Sequence, residues 1–219
     1  MLVTRIRMIG LALVAMFAMS AIVASAASAA LPEQVPATGK FTGTSGASTF
    51  ETLKEEKVKC TSDAITGEIT GAKSSKATIT FKGCEGLGLK CNSEGAGSGE
   101  IVLKVTGELV YIMKSTKEVG LINTLEKELT IKCTAFQTLK VKGSTLCPIT
   151  PVNTKTTKYK VVCKMTKGMQ EPANYEPGSE LIIAPFTETK GEGLKKFAFE
   201  QSGLTGTDEL TLPEGEIKA

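Results

Sequence analysis

The chain has 219 residues and contains neither His nor Trp. The absence of His removes Ser-His and Cys-His catalytic pairs and the commonest transition-metal ligand. Residues 31–219 carry 24 Lys, no Arg and 23 acids, so they lack the planar fork that reads phosphate or guanine, and a net charge of +1 sets up no field for nucleic acid.

The N-terminus reads as a signal peptide over residues 1–30. Thr4-Arg5-Ile6-Arg7 is a basic start, Met8 to Val23 is an uncharged apolar stretch, and Ala24-Ser25-Ala26 and Ser28-Ala29-Ala30 offer small residues for cleavage. The apolar stretch is short of the ~20 residues of a bilayer crossing, so no stable membrane insertion is expected after cleavage. The mature chain is expected to start between Ala27 and Leu31. No Cys lies at the cleavage region for lipid attachment. Leu212-Pro213-Glu214-Gly215 is faintly like a sorting signal but no apolar tail follows it. The product is expected to be released, in a secreted or extracellular location that includes the cell wall.

Residues 31–46, rich in Pro, Gly, Ser and Thr, read as a flexible lead-in, and residues 47–219 as one β domain. Thr52 to Val58 is the only tempting helical turn. Beyond it, apolar residues recur at every second position in Ala77 to Phe81, Leu129 to Cys133 and Tyr159 to Met165, the period of a strand with one wet face. Similar runs occupy 100–105, 107–113, 136–142, 181–184, 196–200 and 209–212. With 27 Thr and 21 Gly among 189 residues, the composition suits half-buried strands and suits helices badly. Gly71, Gly83, Gly95 to Gly99, Gly143 and Gly203 to Gly206 read as breaks. The expected class is all-β, an antiparallel sandwich or barrel.

Cys60, Cys84, Cys91, Cys133, Cys147 and Cys163 form an even set, which in an exported chain reads as disulfides. None forms a Cys-x-x-Cys pair, and no metal site or cofactor is expected. Cys60 to Cys84 and Cys91 to Cys133 each open and close a similar segment. That symmetry favours Cys60 with Cys84 and Cys91 with Cys133; the competing set is Cys84 with Cys91 and Cys60 with Cys133.

Gly67-Glu68-Ile69-Thr70-Gly71, Phe81-Lys82-Gly83-Cys84, Cys91-Asn92-Ser93-Glu94-Gly95, Gly99-Glu100-Ile101, Val119-Gly120-Leu121, Gly143-Ser144 and Thr150-Pro151-Val152-Asn153 together resemble a group of exported β-rich proteins, abundant as paralogues in soil actinobacteria. The resemblance spans most of residues 40–205. It implies export and a β fold and brings no catalytic residue, that group having no assigned activity. Cys147 and Cys163 look like additions to its pattern, which makes them partners for each other.

Searches for chemistry return few candidates. There is no Walker pattern, no Ser followed three residues later by Lys, and neither Asp63 nor Asp208 stands in an Asp-Thr-Gly or Asp-Ser-Gly triplet. Glu55 with Glu56, or Glu126 with Glu128, are the carboxyl pairs a Glu-based hydrolase would use. Tyr111, Tyr159 and Tyr175 are the rings a sugar site would use. If Tyr159, Val161, Cys163 and Met165 face inward, Lys158, Lys160 and Lys164 face outward, joined by Lys140 and Lys142 if Leu139 and Val141 turn inward. Such a face would contact a polyanion of the envelope, although Lys on exposed strands also guards against edge-to-edge aggregation. The expectation is an exported protein with a structural or binding role rather than an enzyme. The alternatives are a module for an anionic or sugar envelope polymer, or a Glu-based hydrolase.

Overall fold

The computed structural model describes residues 32–133, 137–176, 185–191 and 200–219. The signal-like N-terminus and the run at 181–184 lie outside the described residues, as does all of 196–200 but its last residue. Strands and turns make up the described residues, and there is no helix among them. The strands are β1 (Glu33–Val35), β2 (Gly39–Ser45), β3 (Ser48–Thr52), β4 (Lys57–Cys60), β5 (Ser62–Ile69), β6 (Ser74–Lys82), β7 (Glu85–Gly86) and β8 (Leu89–Ser93). They continue with β9 (Glu100–Met113), β10 (Glu118–Leu125), β11 (Leu129–Cys133), β12 (Gln137–Thr150), β13 (Thr156–Thr166), β14 (Met169–Glu171), β15 (Pro185–Gly191) and β16 (Glu200–Lys218).

All pairings are antiparallel, and they close two rings. The first runs β10, β9, β6, β5, β2, β16, β13, β12 and back to β10. The second runs β16, β3, β4, β7, β8, β11, β12, β15 and back to β16. The architecture is therefore the barrel alternative, doubled. β12 and β16 belong to both rings and run to 14 and 19 residues, where strands usually run 3–10.

The expected breaks at Gly143 and Gly203 to Gly206 are corrected by this arrangement, because both lie inside strands. β12 pairs with β15 through Gly143 and with β10 from Ser144 onward. β16 leaves β3 at Thr205 and meets β2 at Asp208. The glycines thus mark where a shared strand passes from one ring to the other. Gly143 has φ +102°, a conformation L side chains rarely adopt.

Each ring has its own core. Phe41, Ile65, Leu109, Tyr159, Val161 and Leu210 fill the first; Val58, Ile131, Leu139 and Val141 fill the second, where Phe81 and Ile101 from the ends of β6 and β9 pack against them. Burying a large apolar side chain contributes roughly 1.5–3 kcal/mol, so each core is a substantial source of stability. Disulfides lie within them: Cys147–Cys163 in the first, Cys60–Cys84 and Cys91–Cys133 in the second. Three disulfides point to an oxidising compartment.

One expectation fails locally. Residues 31–46 are not a loose lead-in: β1 pairs with the end of β16, and β2 sits between β5 and β16. Its Gly and Thr content hid the alternation, since the inward position Gly43 is kept small by the Leu210 side chain, which an added Cβ would meet at 2.5 Å. Thr52 to Val58 holds no helical turn: it is the end of β3, the turn 53–56 and the start of β4, with the Thr52 hydroxyl accepting from the backbone N–H of Lys54 and Glu56.

Candidate functional site

Directly paired residues of neighbouring strands point to the same face of a sheet. In the first ring one such row runs Val161, Asp208, Ser45, Asp63, Phe81, Ile101, from β13 to β9. Val161, Phe81 and Ile101 are core residues, so the row faces the interior. Two carboxyls are thereby drawn inside, one strand to either side of Ser45.

Asp63 is 5% exposed. The Ser45 hydroxyl donates to its Oδ2 at 2.6 Å, while Oδ1 is buried without a partner of its own. Burial pushes the Asp63 carboxyl above the usual range, opposed by hydrogen bonds from Ser45 and Asp208. Asp208 is pushed up to about 7, first by burial, then by the charge of Asp63, then by the hydrogen bond it donates to Asp63. Burial and the neighbouring carboxyl thus favour the protonated form of Asp208 near neutral pH.

Asp208 also lines a cavity of about 110 Å³ where the two rings meet. The opening strands leave a gap there that side chains from both rings border without filling: Ile79, Val105 and Leu125 from one, Phe50, Val58, Ile131, Val141 and Leu204 from the other. Ser48, Asn123, Ser144 and Thr145 add polar atoms, and Asp208 is the only ionisable group among the described lining residues. Apolar walls with a few convergent polar groups and a perturbed carboxyl are the usual make-up of a small-molecule site. Among the described residues, no three His, Cys, Asp or Glu side chains are grouped to hold a metal ion.

The sequence-derived candidates lie elsewhere. Lys158, Lys160 and Lys164 are exposed along β13, and Tyr159, Val161 and Cys163 are buried between them. Lys140 and Lys142 lie on the β12 segment of the second ring, with Leu139 and Val141 buried. β12 and β13 pair only at Ile149 and Thr150. Lys140 pairs with Glu128 at 2.9 Å, Lys160 with Glu209 at 3.6 Å, and Lys158 donates to the Thr211 hydroxyl. Glu55, Glu126 and Glu128 are exposed and Glu56 is partly so. Tyr111 and Tyr159 are core residues, Tyr159 donating to the Gly215 carbonyl, and Tyr175 packs against Val110, Ile122 and Leu146.

Sequence reasoning passed over Asp63 and Asp208, having tested them only against protease triplets. A signal was present: each occupies the inward parity of an alternating run, Asp63 with Ile65, and Asp208 with Leu210 and Leu212. No protein-family model matches the chain, and no curated protein or solved structure matches it either.

Proposed function

We propose that this is an exported binding protein, processed behind its N-terminal apolar stretch like the group it resembles, which takes a small, largely apolar ligand into the cavity between its two rings. The observation that carries this reading is the cavity itself, lined by both cores with one protonatable carboxyl in its wall. Its volume is somewhat below that of the ~150 Å³ hydrocarbon-lined cavity that accepts benzene, so the body of the ligand is about four or five carbon atoms. Each buried methylene contributes about 0.8 kcal/mol, which makes binding of such a body weak without a polar anchor. The cavity is preferred to polymer attachment through the lysines because neighbouring groups engage Lys140, Lys158 and Lys160. The test is a titration of methyl-labelled protein with 1-butanol, followed by NMR. Saturable shifts at Leu125, Ile131, Val141 and Leu204 are expected, and an absence of saturable shifts at these methyls overturns the reading.

A further inference from the structure

Lys140, Lys158 and Lys160 are engaged by their neighbours, but three other lysines are not. Lys40 on β2, Lys76 on β6 and Lys104 on β9 are exposed, and no salt bridge reaches them among the described residues. Strand pairing draws them together. Lys40, Glu68 and Lys76 oppose one another across β2, β5 and β6, and Thr66, Thr78 and Lys104 form the next row across β5, β6 and β9. This is the outer face of the first ring, because the alternate residues Phe41, Ile65 and Ile69 are in its core. Glu126 stands beside Lys104, its backbone N–H donating to the Lys104 carbonyl. Together these side chains border a shallow groove of about 340 Å³. Lys on an exposed edge strand guards against aggregation, but β2, β6 and β9 are each paired on both sides, so these lysines guard no edge.

We infer that this groove binds an acidic polysaccharide, with the carboxylates of the sugar on Lys40, Lys76 and Lys104 and its hydroxyls on Glu68, Thr66 and Thr78. The site is separate from the cavity, which lies on the inner side of the sheet. Neighbouring strands lie about 4.8 Å apart, so Lys40 and Lys76 are set about 10 Å from each other. Charges so spread suit acids repeated along a chain better than one small anion. Each ammonium is a point charge with three donors, which accepts a carboxylate at any angle. Glu68, between two of the lysines, accepts from neutral sugar hydroxyls but repels a chain that is anionic at every repeat. A phosphate polymer is therefore the poorer fit, and the Arg forks that hold phosphate at two points are missing from residues 31–219. No aromatic ring stands among the described lining residues to stack on a nucleic-acid base.

The test is calorimetric titration of the full chain with polygalacturonate, at about 20 and about 200 mM NaCl, beside the fully methyl-esterified polymer. The acid should bind at low salt and at least about tenfold more weakly at high salt, and the ester should not bind. Exchanging Lys40, Lys76 and Lys104 together for Gln should weaken binding at least about tenfold, while the same exchange at Lys140, Lys158 and Lys160 should leave it nearly unchanged. Should the first triple variant fail to fold, amide NMR of the wild type replaces it, and polygalacturonate should shift Thr66, Ala77 and Thr78. No binding at low salt, equal loss in the two triple variants, or amide shifts that spare those three residues overturns the inference. Tighter binding of inorganic polyphosphate than of polygalacturonate, lost in the first triple variant, assigns the groove to a phosphate polymer and also overturns it.

Discussion

Asp208 and Asp63 stand one strand to either side of Ser45, close enough for a hydrogen bond between their carboxyls. Neither residue is near the other in sequence. The pairing of β16 with β2 and of β2 with β5 brings them to one face of the first ring.

Stability should carry the imprint of protonation at Asp208. The folded-state pKa of Asp208 is raised from 3.8 to about 7, so the folded protein holds a proton that the unfolded chain releases. The contribution is complete below the unfolded value and is lost as the pH rises through the folded one. Urea unfolding should show wild-type stability declining between about pH 4 and 7, relative to Asp208→Asn, by at most about 4 kcal/mol before solvent screening. Parallel profiles for the two proteins would show that Asp208 titrates normally.

Cys147 and Cys163 are 0% and 5% exposed and lie 16 residues apart. Loop closure of that length is worth about 3 kcal/mol in the entropic account. Replacing both with Ala should lower stability by about that much while far-UV circular dichroism keeps its β spectrum. The same exchange at Cys91 and Cys133, 42 residues apart, should cost about 4 kcal/mol. A reversed order would show that packing around the sulfurs, not chain restriction, dominates.

The β class and the inward set of β13 were legible because Tyr159, Val161 and Cys163 take every second position between Lys158 and Lys164, in a run without glycine. The symmetry of the Cys-bounded segments likewise matches the two disulfides found there. What could not be read was the doubling of the ring, since it depends on which partners β12 and β16 take on either side of a glycine, and a glycine that ends a strand looks the same in sequence as one that lets a strand turn and continue. The cavity follows from that passage, so it was hidden with it.

Gly143 tests the passage directly. Its φ of +102° makes any side chain strained there, and Gly143→Ala should destabilise by about 1–3 kcal/mol. Gly46 serves as a comparison: a Cβ added to it meets nothing within 4 Å, so Gly46→Ala should be neutral or slightly stabilising through the unfolded chain. Equal effects in urea unfolding would mean that β12 does not need its glycine to change rings.

The tip between β7 and β8 should respond in the opposite direction. Gly86 pairs with Leu89 around a two-residue loop, Leu87-Gly88, whose φ values are 52° and 77°. Positive φ at both central positions is the mark of the type I′ hairpin turn, where Asn-Gly is favoured. Leu is a poor occupant: the left-handed region costs an ordinary L residue roughly 1–2 kcal/mol, and Leu87 is 82% exposed, so its side chain returns little by packing. Asn tolerates that region through local hydrogen bonding. Leu87→Asn should therefore raise stability by about 0.5–1 kcal/mol in urea unfolding. Leu87→Ala is the control, since it removes the exposed side chain but keeps the backbone penalty, and it should leave stability nearly unchanged. If Ala stabilises as much as Asn, the gain comes from the lost apolar surface, and the turn conformation is not the cause.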